Sequence, residues 1–195
     1  MRGSYLTALV FLSQAALATA ASAENPIYVT GKLGNTWQDA RLGDRFVKFI
    51  DGDDNSWSFG LGLRFGKYVA FQAEYHDFGS APGQGSPCPQ EAEVCIATLV
   101  PVEADSTAIS VTVLPHLPLS ERFSVYGKLG FVSWGSDVFA IRDGAGRLIE
   151  GFSDEDLVYG VGLRLQVAGA FGAFAEYERI ADIFDTVSLG ATFGF

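Results

Sequence analysis

The sequence predicts an all-β fold, an eight-stranded antiparallel up-and-down transmembrane β-barrel, and three observations lead there. The final stretch alternates strictly: Val187, Leu189, Ala191, Phe193 and Phe195 share one face, and Ser188, Gly190, Thr192 and Gly194 share the other. A period of two marks a strand with one apolar and one polar face. A closed barrel accommodates both, the apolar face in lipid and the small polar face in the lumen. Second, apolar residues in the rest of the chain alternate instead of running together, interleaved with 23 glycines and 16 phenylalanines. Such alternation fits a closed sheet and argues against helical bundles. Third, the alternating segments number eight, and their connections switch between short and long.

Taken in order, the chain begins with an export signal. Arg2 is the positive n-region, residues 5–12 begin an apolar h-region, and Ala21-Ser22-Ala23 is a small-residue cleavage site. The apolar stretch is broken by Ser13 and Gln14 and falls short of the ~20 residues of a spanning helix. Residues 1–23 are therefore read as a signal peptide and 24–195 as one barrel domain. Strands are expected at 27–37, 57–66, 68–78, 107–114, 123–133, 157–167, 171–180 and 186–195. Most approach the ~9–11 residues with which a tilted strand crosses a bilayer. Short turns at 66–67, 115–120 and 168–170 belong to the periplasmic end. Long loops at 38–56, 79–106 and 135–156, with a shorter one at 181–185, belong outside.

The two halves resemble each other. Gly31-Lys32-Leu33-Gly34 returns as Gly127-Lys128-Leu129-Gly130, Gly60-Leu61-Gly62-Leu63-Arg64 as Gly160-Val161-Gly162-Leu163-Arg164, and Ala73-Glu74-Tyr75 as Ala175-Glu176-Tyr177. Duplication and the common constraints of barrel strands both account for this. The alternation then assigns faces. Outward go residues such as Leu33, Leu61, Val111, Phe131 and Leu189, with no charge on that face at mid-membrane, where Arg or Lys would cost ~2–4 kcal/mol. Trp37, Trp57, Tyr75, Tyr159 and Tyr177 fall outward near the loop ends, as an interfacial aromatic girdle. Inward go Lys32, Arg64, Glu74, Lys128, Arg164, Glu176 and Glu178. An eight-stranded barrel is just wide enough for side chains to fill it. The seven charges are expected to pair and plug the lumen, because breaking a buried pair costs ~3–5 kcal/mol. The alternative is a narrow channel for small solutes or ions lined by the same charges.

Charge and chemistry narrow the function. Removing the signal leaves 12 basic residues against 23 acidic ones, which excludes a generic nucleic-acid binder. Residues 38–55, 77–105, 135–156 and 181–185 hold 18 of the 23 acids and 5 of the 13 bases, so the outer end is anionic. Beside anionic lipopolysaccharide such loops repel unless divalent cations bridge them. The run from Asp51 to Ser56 begins like a calcium loop, but Ser56 and Gly62 stand where that loop needs Gly and Glu; it reads as a solvated acidic loop. Cys88 and Cys95, with no histidine nearby and no zinc spacing, read in an exported protein as a disulfide. No nucleophile elbow, phosphate-binding glycine loop or paired catalytic carboxylates stand out, and no enzyme, metal or cofactor is expected.

The inward Lys of Gly-Lys-Leu-Gly, the inward Arg of Gly-x-Gly-Leu-Arg and the inward Glu of Ala-Glu-Tyr resemble the OmpA-like family of eight-stranded outer-membrane barrels. The resemblance covers essentially the whole mature chain. It implies a Gram-negative outer-membrane location in contact with lipid and lipopolysaccharide. The last strand is similar to the signature that the barrel-assembly machinery reads, which assigns that role to Phe193 and Phe195. The chain ends on that strand, so a barrel-only protein similar to OmpX-type or opacity-type surface proteins is expected, acting through its loops on an unidentified extracellular ligand. Some related barrels are lipid A deacylases with a His-Ser-Glu site on the lipid face; His76 falls on the inward face instead.

Overall fold

In a computed structural model, the structure describes residues 26–40, 47–85, 100–142 and 145–195. The predicted export signal, Cys88 and Cys95 lie outside the described residues. The strands are β1 (Ile27–Ala40), β2 (Val47–Phe65), β3 (Val69–Gly85), β4 (Val100–Pro118), β5 (Phe123–Arg142), β6 (Ala145–Ala168), β7 (Phe171–Ile180) and β8 (Phe184–Gly194). Each pairs antiparallel with the next, and β1 closes the barrel on β8 from Tyr28↔Gly194 to Gln38↔Phe184. The C-terminal residue is tied in as well, Phe195 N donating to Ile27 O at 2.8 Å.

Closure is helped by glycines that make room for rings. Gly62 faces Tyr28 across β1 and β2, and Gly162 faces Tyr126 across β5 and β6. A side chain on either glycine would overlap the ring of its partner tyrosine. The repeated Gly-x-Gly thus has one physical role in both halves: it seats a tyrosine against the lumen wall. Gly66 and Gly169 hold positive φ in the β2–β3 and β6–β7 turns, a conformation that favours glycine.

The outer surface sorts into bands. Leu33, Leu61, Ile109, Val111, Phe131, Val161 and Leu189 are exposed on the middle of the wall. Trp37, Trp57, Tyr75, Tyr159 and Tyr177 ring its upper edge, with Trp57 and Tyr75 rings 5.6 Å apart. Phe171, Phe193 and Phe195 stand at the other edge in edge-to-face contacts of 6.5 and 5.2 Å. From Trp57 to Phe65 a strand tilted by ~40° climbs about 21 Å, close to the ~25 Å apolar band of such barrels.

The strands do not stop at the upper girdle, which corrects the expected loops. Much of 38–56, 79–106 and 135–156 is strand, so that β3 is 17 residues long and β6 is 24. The acidic run at Asp51–Ser56 lies in β2, where Asp54 Oδ2 accepts the Ser80 N–H at 2.9 Å. At the periplasmic end β4 continues to Pro118 and the turn follows it, while at the outer end β8 already begins at Phe184. A β-bulge between Asp77 and Ser80, with Gly79 at φ 70°, resets the alternation of β3. Above the girdle the faces exchange character: Val102 and Ala104 point into the barrel, 1% and 0% exposed, while Asp105 is exposed. An apolar-out pattern cannot reveal strands whose outer face meets water.

Candidate functional site

The chemistry-bearing residues converge on the barrel interior, stacked in layers along its axis. The middle layer holds Lys32 from β1, Glu74 from β3, Lys128 from β5, and Glu176 and Glu178 from β7, none more than 5% exposed. Lys32 Nζ donates to Glu176 Oε1 at 2.6 Å and to Glu178 Oε1, and lies 3.6 Å from Glu74 Oε1. Lys128 Nζ donates to Glu74 Oε2, to Glu178 Oε2 at 2.7 Å and to Glu176 Oε1 at 3.2 Å. Every carboxylate touches both ammonium groups. The three carboxylates approach within 4.8 Å of one another, as ligands of a cation do, and the two lysines supply the positive charge there. The Tyr126 hydroxyl donates to Glu176 Oε2 at 2.9 Å, so the ring seated on Gly162 also orients the cluster.

Arg64 and Arg164 are not in this cluster, contrary to the expected seven-residue network. Register explains it. Gly60 pairs with Glu74 but Arg64 pairs with Ala70, four residues nearer the periplasmic end, about 13 Å along the strand. Alternation assigns a face but not a height. Both guanidinium groups sit at the mouth over the Tyr28 ring, 5.0 and 5.8 Å from its centre, and Arg164 Nη2 donates to Thr192 Oγ1 at 2.8 Å. The Tyr28 hydroxyl donates to Gln72 Oε1 at 2.7 Å. A cavity of about 150 Å³ opens at this mouth; beyond it, under Tyr28, Tyr126 and Glu176, the space shrinks to about 20 Å³.

On the extracellular side of the lysines comes His76, 2% exposed, its Nε2 2.9 Å from Ser110 Oγ and its Nδ1 3.8 Å from Glu178 Oε1. The order Glu-His-Ser matches a hydrolytic triad, but Ser110 is 1% exposed and the free space beside His76 is about 10 Å³, room for no more than one water. No acyl substrate fits there. Next comes an apolar layer that the polar inward list missed. Phe78 stacks on Phe184 at 4.4 Å, Trp134 meets Phe184 edge-on at 5.7 Å, and Ala108, Val132, Val158 and Ile180 pack around them. The signal was present: Phe78 continues the inward series of Glu74 and His76, and Ile180 that of Glu176 and Glu178. Thr36 and Thr186 hydroxyls at 2.8 Å and Ser106 and Ser136 at 3.0 Å lie among the buried residues of the upper barrel.

This closed, outward-apolar barrel with a charged core agrees with what comparison finds. The family model described as outer membrane protein beta-barrel domain matches residues 4–195. The chain belongs to that family. As an outer membrane barrel protein it shares its fold with solved structures of low sequence identity. Ail, the attachment invasion locus protein of Yersinia pestis solved with the heparin analogue sucrose octasulfate, is 20% identical, with 87% of this chain and 99% of that one covered at a TM-score of 0.50. The N-terminal barrel domain of Pseudomonas aeruginosa OprF is 12% identical over 88% and 98% of the chains, TM-score 0.53. Neisserial surface protein A is 14% identical over 87% and 97%, TM-score 0.53. No curated protein sequence matches. The chain is thus an eight-stranded outer-membrane β-barrel, located in the cell outer membrane.

Proposed function

We propose that this outer membrane protein is a non-catalytic barrel, closed to solutes, that serves the envelope or binds a surface partner through its extracellular end. The observation that carries the reading is the pair of seals stacked along the axis. The Lys32–Lys128 cluster with its three glutamates fills the middle, and the Phe78–Phe184–Trp134 layer lies above it. Water and ions would have to part both. Parting the first exposes unpaired buried charge, and parting the second wets an apolar core. The mature chain begins at Glu24 in this reading, and Cys88 and Cys95 form a disulfide that fastens the second extracellular connection.

The partner follows from the charge of the outer end. Asp53, Asp54, Asp105, Asp154, Glu155, Asp182 and Asp185 lie there, with Arg179 held by Asp182 and Asp185. Ail was solved with a polysulfated ligand. The acidic end of this chain disfavours such a polyanion and favours a cationic partner, or lipopolysaccharide bridged through divalent cations. Planar-bilayer recording tests the closed reading. Wild-type protein should show at most rare, small events. Steady, ion-selective conductance that changes in Lys128→Ala would establish the narrow channel instead.

A further inference from the structure

We propose that the periplasmic mouth of the barrel is a binding site for a phosphate-type oxyanion. The argument begins with a charge imbalance inside the lumen. In the middle layer three carboxylates serve two lysines, whereas at the mouth two guanidinium groups share one tyrosine ring. Among the described residues neither Arg64 nor Arg164 has a carboxylate within 4.0 Å; the interior ion pairs all belong to Lys32 and Lys128. Two like charges this close in a half-buried site repel each other, and desolvation adds to the cost. Buried guanidinium is ordinarily paired.

The mouth also offers polar atoms that nothing satisfies, one a guanidinium donor and one an imidazole nitrogen that donates or accepts according to tautomer. Arg64 Nη2 and His116 Nε2 are buried without a hydrogen-bond partner among the described residues. The residues Arg64 and His116 line the 150 Å³ cavity together with Arg164, Lys67 and Arg122, and its wall contains one acid, Glu121, which is exposed on the β4–β5 turn. Ser120 Oγ, also on the wall, accepts the Phe123 N–H at 3.0 Å, which leaves its own hydroxyl hydrogen free to donate. Space for about five waters, at ~30 Å³ each, holds a tetrahedral oxyanion with part of its hydration shell. Guanidinium forks suit such an anion, because each presents parallel N–H groups to two oxygens, while lysine at the rim adds a point charge. Above the cavity both guanidinium groups lie over the Tyr28 ring, whose hydroxyl is committed to Gln72. Free phosphate and the phosphate of a periplasmic-leaflet lipid headgroup carry the same chemistry.

The test uses the mature chain refolded in octyl glucoside, which contains no phosphate, and titrates inorganic phosphate against chloride at matched ionic strength. Broadening of the ³¹P signal and calorimetry should report one saturable site in the wild type. Arg64→Gln with Arg164→Gln should weaken binding at least tenfold while the heat-modifiable gel shift of the folded barrel persists. Arg64→Lys, which keeps charge but loses the fork, should fall between them and guards against a folding defect in the double variant. Repeating the titration in phosphatidylglycerol nanodiscs separates the sources: competition there assigns the site to a lipid headgroup, and unchanged affinity assigns it to free phosphate. Absence of saturable binding in octyl glucoside, or binding indifferent to both arginines, overturns the proposal.

Discussion

Below the Trp57–Tyr75 girdle the wall is apolar outside and the lumen holds the buried charges, with a small apolar cluster of Tyr28, Ala70, Leu114, Tyr126 and Phe174 beneath them; above it the outer face turns polar and the lumen is filled mainly by an apolar core, with a few buried hydroxyls beside it. β4 shows the change within one element. At Val111 and Thr112 the valine is 59% exposed and the threonine 2%, whereas at Val102 and Asp105 the valine is 1% exposed and the aspartate faces water. The solvent of the outer face differs between the two stretches, and the inner face responds. In lipid the outer face takes most of the apolar residues, and the charges that remain in the lumen must satisfy one another, as Lys32, Lys128 and the three glutamates do. In water the hydrophobic effect acts toward the lumen, and Phe78, Trp134 and Phe184 condense there. The bulge at Gly79 lies at the changeover, where a shift of one residue keeps β3 in register while resetting which residues point in. A strand can serve both solvents.

The largest effect should come from breaking the charged layer. Lys128→Ala leaves three carboxylates facing Lys32 alone and should lower stability by ~3–5 kcal/mol in urea titrations of the refolded barrel. Glu74→Ala should fall near the low end of that range, because Glu176 and Glu178 still serve both lysines. Slightly smaller is the apolar layer: Phe184→Ala removes the ring that both Phe78 and Trp134 contact and should cost ~3 kcal/mol, seen in the same titration with a shift in Trp134 fluorescence. If Phe184→Ala proves neutral, the upper core is not packed as described.

The next substitutions probe the outer solvent directly. Val111→Arg, on the lipid face of β4, should cost ~2–4 kcal/mol, whereas Glu103→Arg, eight residues earlier on the same outward register, should change stability by less than ~0.5 kcal/mol. Equal costs would mean that both positions meet the same medium. Gly62→Ala is expected to cost ~1–3 kcal/mol by displacing the Tyr28 ring, and Gly66→Ala about 1 kcal/mol through its positive φ alone. Smallest of all, Asp137→Asn near the outer end should shift the midpoint by less than ~0.5 kcal/mol.

The two stretches were also unequally legible. The lipid-facing strands announce themselves because apolar outward residues and small or charged inward ones alternate strictly, as in Val187–Phe195. The eight strands, their order and the inward face of Lys32, Glu74, Lys128, Glu176 and Glu178 follow from that one pattern. Above the girdle the pattern runs the other way, and in 100–106 it reads as a polar segment with scattered valines, so β4 and its neighbours look like loops. The separation of Arg64 and Arg164 from the glutamates was hidden for another reason. Depth along the axis depends on which residue faces which across the ladder, and that register comes from closure of the sheet, not from any one strand.

Amide hydrogen exchange of the mature barrel in lipid nanodiscs tests most directly whether one closed barrel continues beyond the membrane with its faces exchanged. The Ala104 and Val138 amides, paired across β4 and β5 above the girdle, should be protected to within about tenfold of the Thr112 and Gly130 amides paired within the membrane. Exchange of Ala104 and Val138 at the rate of an open loop, with Thr112 and Gly130 still protected, would contradict it.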